Sequence, residues 1–170
     1  YLAAHNPDAF DAMIMYSPNI ALGSPTSTLL TMPWGLQLAK AVEGEYRKLI
    51  FDTPKASQYW TMEYRTEGIV VVKSLTDMLT TEVFKKVKHP FLVSYWYKNE
   101  VESDQVIHIP SVRNFVATAS TPEAMKREVP LPDVGSHVMA SSLQSKDLDS
   151  VREITFAYAE EVLGLQPVPE

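Results

Sequence analysis

The chain has no cysteine, which excludes disulfides, a thiolate nucleophile and cysteine-ligated zinc. It has no run of about 18 apolar residues, so no membrane-spanning helix is expected. No His-x-x-x-His pair or matching carboxylate set occurs among its four histidines, so no metal site is expected. Basic charge is also scarce: 15 Lys and Arg stand against 21 Asp and Glu, a formal net charge of -6. A polyanion selects a clustered basic surface, so this balance argues against nucleic acid as a partner. The densest basic stretch, Lys85, Lys86 and Lys88 beside Glu82, reads as a solvated face. No repeat and no low-complexity segment is present.

An initiator methionine and a targeting segment are missing as well. Tyr1-Leu2-Ala3-Ala4-His5 reads as the last turn of a helix already under way, stopped by Asn6-Pro7-Asp8. The expectation is a fragment or processed chain that lacks its native N-terminus, which leaves the compartment unreadable. What remains is 170 residues, 45% apolar and 21% charged, the balance of one soluble globular domain.

Along the chain, the short apolar run Asp11 to Ser17, ended by Pro18, suits a strand covered on both faces. Residues 23–57 are punctuated by Gly23, Pro25, Pro33, Gly35, Gly44 and Pro54, with an interrupted helix through Leu36, Leu38, Ala39, Val42 and Tyr46. Residues 57–67 are predicted helical, and residues 70–79 also, from the spacing of Val72, Leu75, Met78 and Leu79. Phe91 to Tyr97 is the clearest strand, rich in aromatic and β-branched residues after His89-Pro90. Ile109 to Ala119 reads as a helix with Pro110 in its first turn. Met125 to Leu131 reads as a strand. Asp147 to Leu163 reads as a final helix, capped by Asp147 or Ser145 and ended by Gly164, before a frayed tail. Strands alternating with helices predict a parallel sheet covered on both faces.

Ligands of such sheets meet the loops at the carboxyl ends of the strands. One of those loops holds Glu100, Glu102 and Asp104; the next holds Asp133 and His137. An imidazole can take and return a proton near neutral pH while a carboxylate fixes its tautomer, so the two loops together suit acid–base chemistry. Taken singly, each is more often a solvated loop or a surface histidine. Ser17 reads as a structural serine, since no glycine follows it to make a strained turn. His5, His89 and His108 read as helix-end or surface residues. Trp34, Tyr59, Trp60, Met62 and Tyr64 read first as helix-packing core and second as the lining of an acyl or aromatic pocket.

The order of these segments resembles the C-terminal portion of the α/β-hydrolase superfamily of serine esterases and lipases. Pro90 to Phe115, with Asp104-Gln105-Val106-Ile107 after the strand, resembles the segment around the family's penultimate strand. Val134-Gly135-Ser136-His137 resembles its loop after the last strand, and Ala3 to Pro18 resembles the helix and strand that follow its nucleophile elbow. The resemblance implies an α/β fold, a mostly parallel sheet flanked by helices, with residues 1–22 and 81–165 as half of the core. Residues 23–80 would be a helical cap and residues 166–170 a tail.

Carried over residue by residue, the resemblance implies that His137 is the general base and Asp104 its orienting acid, with Glu102 as the alternative acid. The Gly-x-Ser-x-Gly elbow is absent, so the nucleophile is expected upstream of residue 1 and this chain alone is expected to be inactive. The implied function is cleavage of a carboxylic ester or related acyl compound, without a cofactor. The rival readings are a peptidase or dehalogenase on the same fold, and a non-catalytic binding or assembly module. The expected partners are a small acyl substrate and, through an exposed strand edge, the missing N-terminal half or a second copy.

Overall fold

The computed structural model describes residues 1–50, 54–166 and 168. In chain order its elements are α1 (Leu2–His5), β1 (Met13–Tyr16), α2 (Gly35–Glu43), β2 (Tyr46–Lys48), β3 (Glu63–Arg65) and α3 (Glu67–Asp77). There follow α4 (Thr81–Phe84), β4 (Phe91–Trp96), α5 (Ile109–Thr118), β5 (Lys126–Leu131) and α6 (Leu148–Glu161). Strands β1, β4 and β5 form a parallel sheet in that order, with Met13 beside Phe91 and Phe91 beside Lys126. The architecture is thus a mixed α/β fold with a parallel three-stranded sheet flanked by helices.

β4 is central, and its composition says why: Phe91, Leu92, Val93, Ser94 and Tyr95 have no solvent exposure. Side chains of a strand alternate between faces, so two cores form. Phe91, Val93 and Tyr95 pack with Phe84, Val112 and Phe115, joined by Met13 and Met15 of β1. Trp96 and Tyr16 face the other way, with Leu131, Val134, Met139 and Val151. Each buried aromatic or branched side chain contributes about 1.5–3 kcal/mol. Pro130 lies in β5, an edge strand, where its missing N–H breaks no ladder bond to an outer neighbour. The opposite edge is β1.

The helices begin where the sequence allows. Pro110 occupies the first turn of α5. The Asp147 carboxylate accepts from Ser150 N at 3.1 Å and caps α6. α3 covers residues 70–77 of the stretch predicted helical at residues 70–79, and Met78 and Leu79 lie past its end. Among the described residues no helix is long and apolar enough to cross a membrane.

Residues 57–67 depart from expectation. They hold the end of a 3-10 turn (Pro54–Gln58) and then β3, which pairs antiparallel with β2, before α3 begins at Glu67. Trp60, Met62 and Tyr64 recur every second residue, the period of a strand, and the pairing satisfies main-chain groups that a helix would otherwise have to satisfy. Arg47 opposes Tyr64 and donates to its hydroxyl at 3.1 Å, while Leu49 N donates to Met62 O at 2.8 Å. Trp34 and Tyr59 are also not core residues: they are 78% and 70% exposed. Gly44, at the end of α2, and Thr66, ahead of α3, are tied together because Thr66 Oγ1 donates to Gly44 O at 2.6 Å. Of the expected tail, Pro167, Pro169 and Glu170 lie outside the described residues.

A polar cluster joins β4, β5 and α5. Tyr95 donates to Glu128, and Arg113 Nε donates to Tyr95 Oη at 3.2 Å. The Arg113 guanidinium lies 4.7 Å from the Tyr97 ring centroid. Burial, together with the hydrogen bond to Glu128, pushes the Tyr95 phenol up to about 12.

Candidate active site

The segment after β4 is long, yet it returns to the strand end. Asn99 Oδ1 accepts from Val101 N at 3.0 Å and from Glu102 N at 2.9 Å, an Asx turn that reverses the chain. Lys98 N donates to Glu102 O at 2.9 Å, and Tyr97 bridges Ser103. Asp104 N then donates to Trp96 O at 3.0 Å, so the aspartate stands at the carboxyl end of β4 although residues 97–103 intervene. Glu102 points elsewhere, accepting from Asn99 Nδ2 at 3.0 Å, and Glu100 accepts from Tyr97 Oη at 2.7 Å.

The segment beyond Asp104 is clamped by the chain that leaves β1. Gly23 N donates to Val106 O at 2.9 Å, and Leu22 bridges Ile107. The approach is so close that a Cβ on Gly23 would stand 2.3 Å from Gln105 O, which only glycine permits.

His137 is held by the loop after β5. Lys146 N donates to Val134 O at 3.0 Å and closes the base of that loop, while Val134 and Met139 anchor it with no solvent exposure. Gly135 turns it with a φ of 61°, where a side chain would be strained. Ser136 Oγ accepts from Val138 N at 3.1 Å.

The two loops bring Asp104 and His137 into contact. Nδ1 of the imidazole lies 2.8 Å from Asp104 Oδ2. The Asp104 side chain has no solvent exposure, whereas His137 retains 35%. Asp104 Oδ1 also accepts from Val106 N at 3.0 Å, while the nearby buried Ser17 hydroxyl donates to Met139 Sδ at 3.7 Å. Burial alone would raise this carboxyl; hydrogen bonding and charge from His137, then the Val106 amide, outweigh it and hold the group below its ordinary value. Asp104 is therefore ionised and can only accept, so in a neutral imidazole Nδ1 carries the proton and Nε2 keeps its lone pair. Such a pair can take a proton at Nε2 while the carboxylate stabilises the imidazolium.

Ser17 was legible only in part. It follows β1 with a φ of 44°, so a strained turn exists there without a following glycine. The signal available was topological: a residue just past one parallel strand faces the loop leaving its neighbour. The remaining histidines are occupied elsewhere: His5 Nδ1 with Tyr1 O at 3.0 Å, His89 Nε2 with Pro7 O at 2.7 Å, and His108 Nδ1 with Ser111 Oγ at 2.8 Å. Among the described residues no group of three or more His, Asp or Glu side chains could hold a metal ion.

A cavity of about 440 Å³ adjoins the acid loop. Its walls include Leu22, Leu30, Leu38, Ile69 and Val106, with Gln105 next to Asp104 in sequence. It is largely apolar and lies between residues 22–47, α3 and the acid loop.

No family model matches this chain, and no curated protein matches it. Among solved structures it is similar to one from work on LipS and LipT, two metagenome-derived lipolytic enzymes described as increasing the diversity of known lipase and esterase families. The TM-score is 0.63 at 15% identity, and the match covers 92% of this chain and 58% of that one. The chain thus spans well under two thirds of that structure, and its architecture is that of part of an α/β-hydrolase-like fold.

Proposed function

We propose that this chain supplies the acid and the histidine of a serine hydrolase acting on carboxylic esters, with the nucleophile contributed by sequence upstream of Tyr1. The observation that carries the reading is the 2.8 Å bond between His137 Nδ1 and the buried Asp104 carboxylate, at the ends of adjacent parallel strands. The similarity to a lipolytic structure supports it.

In this reading, the serine hydroxyl attacks the ester carbonyl as Nε2 of His137 removes its proton. The tetrahedral intermediate collapses, the C–O bond breaks, and the same proton passes to the departing alcohol. Water then attacks the acyl-enzyme with His137 again as base, releasing the acid and restoring the serine. Asp104 stays ionised and fixes the tautomer throughout. Residues 23–80 form the cap, and residues 1–22 with 81–165 the core half. The apolar cavity beside Gln105 receives the acyl group. No cofactor enters these steps. The edge of β1 that is unpaired among the described residues accepts a strand from the upstream part of the same protein, or from a second copy.

The test is fluorophosphonate labelling of the intact protein, with turnover of an activated ester. A single labelled serine is expected, and His137→Ala should lower turnover by about 10^4. A folded protein that takes no label, or a His137→Ala loss under tenfold, would sink the reading.

A further inference from the structure

We propose that Arg47 determines which acyl group this site takes, favouring chains whose far end carries a carboxylate over plain alkyl chains. The inference rests on the hydrolase reading and names the substrate class of the same site.

The cavity beside the acid loop is apolar along most of its wall, through Leu22, Leu30, Leu38, Ile69 and Val106. Two charged side chains interrupt that wall: Glu43, the last residue of α2, and Arg47, the middle residue of β2. A guanidinium does not lose its charge, so Arg47 offers a cation to whatever fills the cavity. An alkyl side chain at the same position would line the wall without any cost in lost hydration.

The neighbours of Arg47 hold it without saturating it. Nη1 donates to Tyr64 Oη at 3.1 Å, and Tyr64 stands opposite Arg47 in the β2–β3 pairing, so the strand register sets this contact. Nε lies 3.5 Å from Glu43 Oε2. That separation is long for a charge-assisted bond, and both side chains are 41% exposed, so Glu43 offsets little of the cation. A guanidinium has five N–H donors in a rigid fork. Neither of these contacts uses Nη2. A carboxylate is the group such a fork fits, because its two oxygens accept two parallel N–H bonds.

The same cavity reaches the acid loop, where Gln105 and Val106 line it directly after the aspartate that holds His137. An ester presented to His137 can therefore lay its acyl chain along the apolar wall and end at Arg47. Each methylene buried on the way strengthens binding about fourfold. A carboxylate end then gains the guanidinium. A methyl end in its place displaces water from the cation and returns no hydrogen bond. The two ends are separated by a gain on one side and a penalty on the other.

The test compares p-nitrophenyl monoesters of dicarboxylic acids, from succinate to dodecanedioate, with methyl-ended esters of equal chain length, in the intact protein. At the best length, kcat/KM should favour the carboxylate end by about tenfold. Arg47→Met should remove that preference. Glu43→Gln should raise it severalfold, because the competing carboxylate is gone. An ion pair that serves the cap hairpin alone predicts otherwise: both variants would lower Tm, and neither would move the ratio. A wild-type preference for methyl ends at every length overturns the proposal, as does a ratio that Arg47→Met leaves where it was. Where Arg47→Met does not fold, an unmoved ratio in Glu43→Gln overturns it equally. Calorimetry with the free diacids and the matching fatty acids separates the two readings. An intact protein that takes no fluorophosphonate, yet binds a diacid more tightly than Arg47→Met does, loses the hydrolase reading and keeps Arg47 as a carboxylate site. A labelled protein that binds diacids no better than fatty acids loses the Arg47 proposal alone.

Discussion

Asp104→Asn replaces one carboxylate oxygen with an NH2 group and keeps the shape of the side chain. The native carboxylate only accepts, and it receives His137 Nδ1 at 2.8 Å and Val106 N at 3.0 Å. An amide offers one oxygen and one NH2. If the oxygen faces Val106, the NH2 faces His137 and forces the imidazole to carry its proton on Nε2, where it cannot act as base. If the oxygen faces His137, the NH2 meets the Val106 amide, donor against donor, in a site without solvent. Leaving a buried donor unpaired costs about 1–3 kcal/mol, so the first orientation is favoured and the wrong tautomer prevails. The expected loss in kcat is therefore about 10^4, as for an imidazole trapped in the wrong tautomer. The assay is single-turnover acylation by a p-nitrophenyl ester in the intact protein, with thermal melts to verify the fold. Glu102→Gln is the control, since Glu102 is engaged by Asn99 and half exposed; it should stay within about twofold, because solvated side chains contribute little. A loss under tenfold in Asp104→Asn, or an equal loss in Glu102→Gln, would refute the reasoning. A pH dependence follows as well. The Asp104 carboxyl is held below its ordinary value, so its contribution to stability is complete above the unfolded value and fades as pH falls through the folded one. Urea midpoints of wild type and Asp104→Asn should therefore converge in acid.

Two further outcomes follow from the same contacts. Gly23→Ala sets a Cβ 2.3 Å from Gln105 O, a backbone atom that cannot rotate away, so unfolding should cost about 1–3 kcal/mol less and activity should fall as the acid loop is displaced; an unchanged Tm would contradict the clamp. Tyr95, at about 12, binds its proton more tightly folded than unfolded, so its contribution holds below about 10 and is lost as pH rises to about 12. Tyr95→Phe should therefore flatten the alkaline loss seen in denaturant melts, and a variant with the wild-type alkaline slope would count against the cluster around Arg113.

Much of the core could be read in advance because its signals are strong and local. Phe91 to Tyr95 is apolar, aromatic or branched except for Ser94, and it begins after His89-Pro90. Pro110 and Asp147 mark helix starts by chemistry that acts within one turn. The hairpin of Tyr46–Lys48 with Glu63–Arg65 was missed because each strand is only three residues long, too short for a period to stand out from a helical pattern. Asp104 and His137 could be named from their loops, and their pairing was expected from the resemblance alone; local chemistry did not show it, since the contact depends on the Asn99 turn, the Gly23 approach and the pinning of the last loop by Lys146. The backbone of Ser17 was unreadable for another reason: nothing in Ser17-Pro18 requires its left-handed conformation.

The Asn99 reversal has a consequence for how this protein tolerates change. Because Tyr97 pairs with Ser103 and Asp104 binds back to Trp96, everything from Lys98 to Glu102 is a spur whose tip, at Val101, stands 85% exposed. The Val101 side chain takes no part in the turn, whose bonds use the Val101 and Glu102 main chain and the Glu102 carboxylate. A fluorophore carried on a cysteine substituted for Val101 would thus ride a few residues from the acid and leave the turn that aligns it intact, giving a handle for labelling the protein near that loop.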